Sequence, residues 1–394
     1  MRVLYCNPSF WEYRLPFYAE LNRLLDGNFH VIYSTKRYQA GHTDLLGKIK
    51  RTLGDNAHPW DSEWLYDSHT RAFGRFTEGK PHTSFPFGLW KRISRIRPDV
   101  LITEGFMQWT PIVQLYALTH RIPVFMGYEK TPWTERNNSR MKNLKRRWQD
   151  RAFTGYFVNG SETRKYLESI GVASSKIHIG GMSADSSGLR SDIARLDAQS
   201  RAAFKARFCP EGRGLVYLFS GRVEELKGAP HLVRAWMKHT ALHPDDALVL
   251  IGMGDKFDEL KADFGQCPRL FLEGRVPYDE VHKYYAAADV FILPTLLDNW
   301  SLVVPEAMAC SLPVATSIYN GCHPELIKEG ENGTVFDPLR EESLLRALDY
   351  FHHVDLRAHG ARSAEIEREW STERCAQRVF QCLERYAPRA GKPS

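Results

Sequence analysis

Short apolar runs alternate with amphipathic segments along most of the chain, and this alternation predicts strands that alternate with helices. The predicted strands of the first half are 3–7, 30–35, 100–104, 123–127 and 155–159. Those of the second half are 215–220, 248–251, 270–273, 290–294 and 313–316. Because the runs are continuously apolar, the pattern predicts α/β domains whose parallel sheets are covered on both faces.

A polar segment rich in glycine and serine interrupts this alternation near the middle of the chain, and it predicts an exposed connection. At 394 residues the chain is also too long for one ordinary core. We therefore predict two Rossmann-like domains that face each other across a cleft. The predicted parts are an N-terminal α/β domain (1–185), a linker (186–211), a C-terminal α/β domain (212–370), and a helix that packs back on the first domain before a disordered tail (371–394).

Composition favours a cytoplasmic protein. The chain is 43% hydrophobic and 25% charged, as in ordinary globular proteins, and its apolar runs are too short to span a membrane. The opening run at 3–6 is typical of a strand and lacks the features of a signal peptide. The seven cysteines include no Cys-x-x-Cys pair, so reduced thiols are expected. A net charge of +6 suits an anionic ligand or surface without requiring nucleic acid.

One predicted helix, 138–153, carries an apolar stripe surrounded by basic residues. The stripe consists of Met141, Leu144, Trp148 and Ala152. A basic amphipathic helix can lie on an anionic bilayer, as expected of a peripheral protein on the inner face of the membrane. The alternative packs the stripe on the sheet and leaves the charges in water.

The candidate chemistry is concentrated in the stretch 295–316, which predicts a strand end, a loop, a helix and another strand. Asp298 and Glu306 are separated by seven residues, and the helix is predicted to begin between them, near Asn299, Trp300 and Ser301. The four amides from Trp300 to Val303, that of Leu302 included, are predicted to face a phosphate. The first amides of a helix lack internal partners and attract phosphate. The two carboxylates can accept hydrogen bonds from hydroxyls of a nucleotide sugar. The alternative is an ordinary acidic helix start followed by an ordinary helical Glu.

Two cations follow the strand 215–220. Gly221 permits close backbone approach to a ligand, and Arg222 and Lys227 can both face it. Two fixed cations can neutralise a leaving diphosphate without metal, and the chain has no Asp-x-Asp pair, so we predict no metal and no cofactor. The alternative is an exposed loop with two charges.

Two further strand ends contribute to the predicted donor site. Gly252 and Gly254 form a weak dinucleotide fingerprint, because Phe257 replaces the third glycine. After the strand 270–273, the backbone at Val276 can contact a base edge and Arg275 can stack on the base. A Walker A pattern is absent from the sequence, which counts against an ATPase or a kinase.

In the first half, polar residues also lie at predicted strand ends, where ligands of such sheets bind. Arg14 can meet a phosphate or an acidic acceptor, or it is a solvated charge at a helix start. Glu129 is a candidate general base or hydroxyl ligand, and a surface ion pair is its alternative. Glu104 and Tyr128 occupy comparable positions.

The order and spacing of these motifs resemble glycosyltransferase family 4, specifically over residues 212–340. The resemblance is carried by Gly221-Arg222, Lys227-Gly228, Gly252-x-Gly254, Gly274-x-Val276, Asp298-x7-Glu306, Ala307-Met308-Ala309, Pro313-Val314, Glu325 and Asn332-Gly333. It implies a retaining, metal-independent enzyme of GT-B fold that uses a nucleotide-sugar donor. In that fold the N-terminal domain (1–185) is expected to bind the acceptor and the C-terminal domain (212–370) the nucleotide sugar. It further implies that Arg222 and Lys227 bind phosphate and that Glu306 binds the ribose hydroxyls.

The chain departs from that family at three places. Asp298 stands where the family usually has Glu, which shortens its reach to the transferred sugar by one methylene. The N-terminal glycine-rich loop is replaced by Asn7-Pro8-Ser9-Phe10. The histidine of the first domain is missing, and Tyr128-Glu129 occupies the comparable strand end.

The sequence therefore predicts a hexosyltransferase that acts on a glycan, lipid-linked or small-molecule acceptor in cell-surface polysaccharide or glycoconjugate biosynthesis. Two alternatives stay open. One is a nucleotide-sugar epimerase of the same fold, and the other is a non-catalytic nucleotide-sugar-binding protein.

Overall fold

The computed structural model describes residues 1–9, 12–37, 44–67, 82–180, 183 and 186–386. Backbone contacts divide the chain into two compact units. Unit 1 contains 1–159, 163–183 and the C-terminal residues from Thr372, and unit 2 contains 160–162 and 184–371. The tail predicted to be disordered, 388–394, lies outside the described residues.

The strands of unit 1, β1 to β9, are Val3–Cys6, Phe29–Ser34, Ala57–Trp60, Trp64–Asp67, His82–Phe85, Val100–Glu104, Val124–Tyr128, Gly155–Val158 and Ile177–Ile179. Seven of them form a parallel sheet in the order β3-β2-β1-β6-β7-β8-β9. Strands β4 and β5 form a separate antiparallel pair. Leu4, Leu101 and Phe125 are fully buried in the central strands, as expected for a sheet covered on both faces.

Helices cover this sheet. Helices α1 to α6 are Leu15–Leu24, Leu45–Leu53, Leu89–Ile96, Thr110–His120, Arg140–Asp150 and Ser161–Ser169. The right-handed connections that run from β6 to β9 place α4, α5 and α6 on one face, whereas α1 and α2 cover the other. Among the described helices, none combines the length and the apolar composition that crossing a bilayer requires.

Unit 2 repeats the plan with a six-stranded parallel sheet in the order β12-β11-β10-β13-β14-β15. Its strands β10 to β15 are Val216–Ser220, Ala247–Ile251, Leu270–Gly274, Val290–Leu293, Val314–Ser317 and Gly333–Phe336. Its helices α7 to α15 are Ser186–Arg195, Ala198–Ala206, Ala229–His239, Phe257–Phe264, Val281–Ala287, Val303–Ala309, His323–Leu326, Glu341–Asp349 and Leu356–Arg368. The last helix, α16 (Thr372–Glu384), packs against α1 in unit 1.

The predicted linker 186–211 is largely helical. It forms α7 and α8, which pack on α11 within unit 2. The sequence predicts α8, at about 198–208, but it predicts neither α7 nor α15. The physical reason is shared, because both helices are held through buried polar groups: Glu367 accepts a hydrogen bond from Ser186 and pairs with Arg190 at 3.1 Å. The spacing of apolar residues along the sequence gives no sign of such contacts.

The apolar stripe of the basic helix α5 faces away from the sheet. Its apolar stripe does not pack on the sheet: Met141, Leu144 and Trp148 are exposed, and Arg146 and Gln149 are its buried residues. The alternative that packs the stripe on the sheet is therefore wrong.

Candidate active site

The predicted donor-binding residues of unit 2 lie at the carboxyl ends of four neighbouring strands, β12, β11, β10 and β13. Backbone hydrogen bonds join three of the loops that follow them. Gly221 N donates to Ile251 O at 3.0 Å, and Gly252 N donates to Gly274 O at 2.7 Å. The loops therefore form one continuous polar edge, where ligands of parallel α/β sheets bind.

Glycine is required where these loops cross. Gly252 has φ +127°, and a Cβ there would overlap the carbonyl oxygen of Gly221. A Cβ on Gly254 would overlap the carbonyl of Val223. Backbone packing thus explains both glycines of the weak fingerprint, whatever ligand the edge binds.

Lys227 and Asp298 form the central ion pair of this edge. Lys227 lies in a 3-10 turn after β10, directly before Gly228, whose φ of +72° opens α9. The ammonium lies 2.5 Å from Asp298 Oδ2. Ser301 Oγ donates to the same oxygen at 2.5 Å, and the amide of Trp300 donates to Oδ1 at 3.1 Å.

These contacts keep Asp298 ionised. Burial alone would raise the pKa of its carboxyl, but the Lys227 charge and the hydrogen bonds from Lys227, Ser301 and Trp300 outweigh burial. The pKa of Asp298 is therefore lowered from its ordinary value. A carboxylate in this state is an acceptor of hydrogen bonds and not a donor.

The loop that carries Asp298 is fastened to the turn after β14. Asp298 N donates to Tyr319 O at 3.2 Å, and Gly321 N donates to Asp298 O at 3.0 Å. The buried Asn320 accepts from the amide of Ser301 at 3.4 Å. The sequence placed this turn at a strand end but gave no sign that it positions Asp298.

Helix α12 begins at Val303, two residues later than predicted. Two of the four amides expected to face a phosphate are engaged with the protein: Trp300 N donates to Asp298 and Ser301 N to Asn320. In this described loop, Asn299 Oδ1 and Trp300 Nε1 are buried and have no hydrogen-bond partner. Buried polar groups without partners are uncommon, and a ligand is one explanation for them.

The remaining predicted donor residues are more exposed. Arg222 is 53% exposed and pairs with Glu224 at 3.2 Å, rather than with the Lys227–Asp298 pair. Arg275 is exposed after β12, and Val276 and Leu302 are half-buried.

Glu306 lies in α12, and Tyr285 donates its hydroxyl to Glu306 Oε2 at 3.1 Å. Tyr285 is fully buried in the preceding helix α11. The sequence analysis did not identify this tyrosine, since an apolar helix position gives no sign of a hydroxyl contact to a distant carboxylate.

Unit 1 contains a second ionic cluster, formed by the partly buried Arg14, Glu104 and Glu129 and the buried Tyr5. Arg14 Nη2 lies 3.0 Å from Glu104 Oε1 and also pairs with Glu129. Arg14 Nη1 lies 3.1 Å from the Tyr5 hydroxyl, and that hydroxyl donates to Glu104. Two predicted acceptor-side residues, Arg14 and Glu104, thus meet the predicted catalytic candidate Glu129 at one place. Tyr5 was missed, because it lies inside a strand and nothing in its neighbours marks it.

The two carboxylates of this cluster share one guanidinium. Burial raises the pKa of Glu104 to about 7; the Arg14 charge lowers it and the Glu129 carboxylate raises it further. Beside the cluster is a cavity of about 20 Å³. That volume holds about one water molecule, so a sugar does not fit into it.

Tyr128, also predicted on the acceptor side, belongs to the core. Its ring stacks on Tyr166 at 5.9 Å and meets Phe106 edge-on at 5.3 Å. Side chains alternate along a strand. The neighbouring Gly127 is therefore the β7 residue that faces the cluster, where a Cβ would overlap the Tyr5 hydroxyl.

Among the described residues, one group has side chains close enough to hold a metal ion: His239, Asp246 and His352, with ligand atoms within 4.8 Å of one another. The two imidazoles contact Asp246 Oδ2 at 2.8 and 2.7 Å. Asp246 precedes β11, whereas Gly252 follows it. The group is therefore at the opposite end of that strand from the candidate active site.

Comparison with known proteins gives a consistent result for unit 2. Residues 201–365 match the family model described as glycosyl transferases group 1. D-inositol 3-phosphate glycosyltransferase 1 of Catenulispora acidiphila is 32% identical over 172 residues, which are 40% of this chain and 41% of that protein. A GDP-mannose-dependent α-(1-6)-phosphatidylinositol monomannoside mannosyltransferase of Mycolicibacterium smegmatis is 28% identical over 199 residues, which are 47% of this chain and 50% of that protein. The chain thus spans half or less of the length of these relatives.

Solved structures match over nearly the full chain. Anabaena HepE in complex with UDP has a TM-score of 0.74 at 12% identity and covers 98% of this chain and 100% of that one. The lipopolysaccharide outer core galactosyltransferase WaaB has a TM-score of 0.68 at 13% identity, covering 98% and 99%. The fold is that of GT-B glycosyltransferases. The predicted fold class of two parallel-sheet α/β domains is confirmed.

Proposed function

We propose that the chain is a retaining glycosyltransferase of family 4, which moves a hexosyl unit from a nucleoside diphosphate sugar to a glycan, lipid-linked or small-molecule acceptor. One observation carries the proposal: the predicted donor residues share one edge of the unit 2 sheet, inside the segment that matches the group 1 model. The names of the relatives support glycosyl transfer. The UDP bound to a structural neighbour supports a nucleotide donor.

In this proposal Lys227 and Arg222 bind the diphosphate. An ammonium has three donors, so Lys227 can contact Asp298 and a phosphate oxygen together. Arg222 is on an exposed loop and turns from Glu224 to the diphosphate. Of the predicted amides, those of Leu302 and Val303 keep the phosphate-binding role, because Trp300 N and Ser301 N donate to Asp298 and Asn320. Cations and amides fixed where charge develops stabilise a leaving diphosphate without a metal ion.

The carboxylates bind hydroxyls. Asp298 is ionised and accepts hydrogen bonds from the transferred sugar, and Glu306 accepts them from the ribose. Asn299 Oδ1 and Trp300 Nε1, buried without partners, offer one acceptor and one donor beside Asp298. Arg275 and the backbone at Val276 contact the base.

The reaction breaks the bond between the anomeric carbon and the β-phosphate oxygen. The acceptor oxygen bonds to the same face of that carbon, and its proton passes to the departing phosphate oxygen. This front-face route needs no protein nucleophile. Unit 1 binds the acceptor, with Arg14, Glu104 and Glu129 as its candidate contacts.

The test is product analysis with UDP-glucose, UDP-galactose and GDP-mannose in the presence of EDTA. We expect release of the nucleoside diphosphate from one donor, together with a hexose whose anomeric configuration, read by proton NMR before mutarotation, matches the donor. An epimerase would instead return an altered nucleotide sugar and release no diphosphate. Failure to turn over any nucleoside diphosphate sugar would contradict the enzyme proposal.

A further inference from the structure

The outward face of α5 is apolar. Met141, Leu144 and Trp148 are 79%, 67% and 69% exposed. They are three or four residues apart, so they lie on one face of the helix. Single exposed apolar residues are ordinary, but a contiguous patch of large ones marks an interaction surface.

The helix is attached to unit 1 by its polar side. Arg146 is buried on the inward face, where its guanidinium lies 2.7 Å from Glu135 Oε2 and within 6 Å of the centroids of three aromatic rings, at 5.0, 5.7 and 5.9 Å. Because this residue and Gln149 occupy the inward positions, the apolar stripe is turned outward by the helical repeat.

The neighbouring helix α4 extends the patch. Leu115 and Leu118 are 56% and 60% exposed. Gln114 Nε2 donates to Gln149 O at 2.9 Å, which fixes α4 beside α5. Both helices cover the same face of the sheet, since they follow the consecutive strands β6 and β7.

The exposed charges of α5 and its C-terminal cap are all positive. The exposed charged residues of α5 and its C-terminal cap are Arg140, Lys142, Lys145, Arg147 and Arg151. Asp150, the acidic residue of this helix, is paired with Lys176 at 3.2 Å. A second copy of the chain would bring these positive charges against each other, which disfavours a homodimer through this face. An anionic surface complements them.

We propose that the outward face of α5, with Leu115 and Leu118 of α4, docks on the surface of an anionic phospholipid bilayer. The helix lies in the plane of the interface. Met141, Leu144 and Trp148 enter the boundary between headgroups and acyl chains, and the basic side chains remain at the lipid phosphates. Binding is independent of glycosyl transfer, and it fails or succeeds separately from the proposed function.

The test is co-sedimentation of the full chain with phosphatidylcholine vesicles, with and without phosphatidylglycerol. We expect binding to the anionic vesicles that weakens as salt is added. Each basic residue near an anionic surface raises the partition coefficient by about 5-fold. Replacing Arg140, Lys145 and Arg151 together by Gln removes three such charges. The partition coefficient of this variant should therefore fall by about 100-fold.

Apolar variants separate insertion from charge attraction. Met141→Ser with Leu144→Ser and Trp148→Ser should lower binding by at least about 10-fold. Trp148→Phe alone should retain most of it, since it keeps a large apolar ring. The matched control is Leu242→Ser with Leu339→Ser, which alters two leucines that are 77% and 59% exposed in unit 2 and should leave binding unchanged.

Three results would overturn the proposal. The first is equal sedimentation with and without phosphatidylglycerol, and the second is unaltered binding by the triple Ser variant. The third is a dimer in light scattering that the triple Ser variant dissociates while vesicles stay unbound. Circular dichroism and the melting temperature of each variant show that it is folded.

Discussion

Both units place a partly buried cation against carboxylates at the carboxyl end of a parallel sheet, but the number of carboxylates per cation differs. In unit 2, Lys227 has one carboxylate partner, Asp298, which also accepts bonds from Ser301 and Trp300. In unit 1, Arg14 is shared by Glu104 and Glu129. The pKa of Asp298 is lowered, whereas that of Glu104 is raised to about 7.

The contrast shows that burial alone does not set the charge of a carboxylate. One cation and further hydrogen-bond donors outweigh burial at Asp298 and keep it ionised. At Glu104 the single cation is shared with Glu129, and burial raises the pKa of Glu104 despite it. Asp298 therefore keeps its negative charge near neutral pH, whereas Glu104 exchanges a proton in that range.

The largest effect on stability is expected from Arg14→Met, which leaves two partly buried carboxylates without a cation. Breaking a fully buried pair costs about 3–5 kcal/mol, and we expect the lower end, about 3 kcal/mol, because Glu129 is 23% exposed. Denaturant unfolding at pH 7.5 measures it. The control is Arg23→Met, which removes an exposed pair with Glu20 and should cost less than about 1 kcal/mol. Equal losses in the two variants would contradict a buried cluster.

The next effect is on turnover. Lys227→Ala removes a cation at the proposed leaving group, which should lower turnover by about 100-fold or more, near 3 kcal/mol in the barrier. Steady-state kinetics with the preferred donor measures it. Lys238→Ala, which alters an exposed lysine of α9 paired with Glu341, is the control and should be neutral.

Lys227→Ala also leaves Asp298 without its cation, which can destabilise the fold. The double variant Lys227→Ala with Asp298→Asn removes that unpaired charge, so it separates loss of stability from loss of catalysis. A double variant that melts like the wild type but stays inactive supports the phosphate role. An unaltered rate in Lys227→Ala removes that role.

A smaller effect is expected from Gly127→Ala. Its Cβ would overlap the Tyr5 hydroxyl and lie 3.1 Å from Glu104 Oε2, so the variant should lose about 1–3 kcal/mol. Thermal unfolding measures this loss. Adding Tyr5→Phe removes the overlapping oxygen and should recover part of it. No recovery would show that Tyr5 is not the obstacle.

The smallest effect is the pH dependence of stability that Glu104 contributes. Its pKa rises from an ordinary value of 4.5 to about 7 on folding, so the folded chain keeps a proton that the unfolded chain has lost. Stability must then fall as pH rises between these values, by about 1 kcal/mol from pH 6 to pH 7. Melting curves of Glu104→Gln should show a shallower decline than those of the wild type. Equal slopes would mean that Glu104 titrates normally.

The sequence predicted the sheet strands of both units within one or two residues where the runs were continuously apolar, as at Val100–Glu104 and Ala247–Ile251. It failed where polar contacts hold a helix in place. Helix α15 is the example: His359, Ser363 and Glu367 are among its buried residues, so its inward face is not an apolar stripe. For α5 the sequence predicted the helix but left two orientations open, because an apolar periodicity does not show whether the stripe faces the sheet or the solvent.

The site was predicted unevenly for the same reason. Spacing along the chain brought Asp298 and Glu306 into one loop and helix, because these residues are near in sequence. The contacts of Tyr285 with Glu306 and of Tyr5 with Glu104 join residues on separate elements, and no local pattern carries that information. Arg14, Glu104 and Glu129 were found individually by their places at strand ends, but the ratio of one cation to two carboxylates appeared only in three dimensions.

The central claim is that the edge of the unit 2 sheet around Lys227 and Asp298 binds a nucleoside diphosphate. Thermal unfolding of the full chain with UDP, GDP or ADP tests it most directly, because a ligand at 100 times its Kd stabilises the native state by about 2.7 kcal/mol. We predict a rise in Tm with at least one of the three, absent from Lys227→Ala and retained in Lys238→Ala. A chain that none of them stabilises, or a rise that survives Lys227→Ala unaltered, would contradict the account.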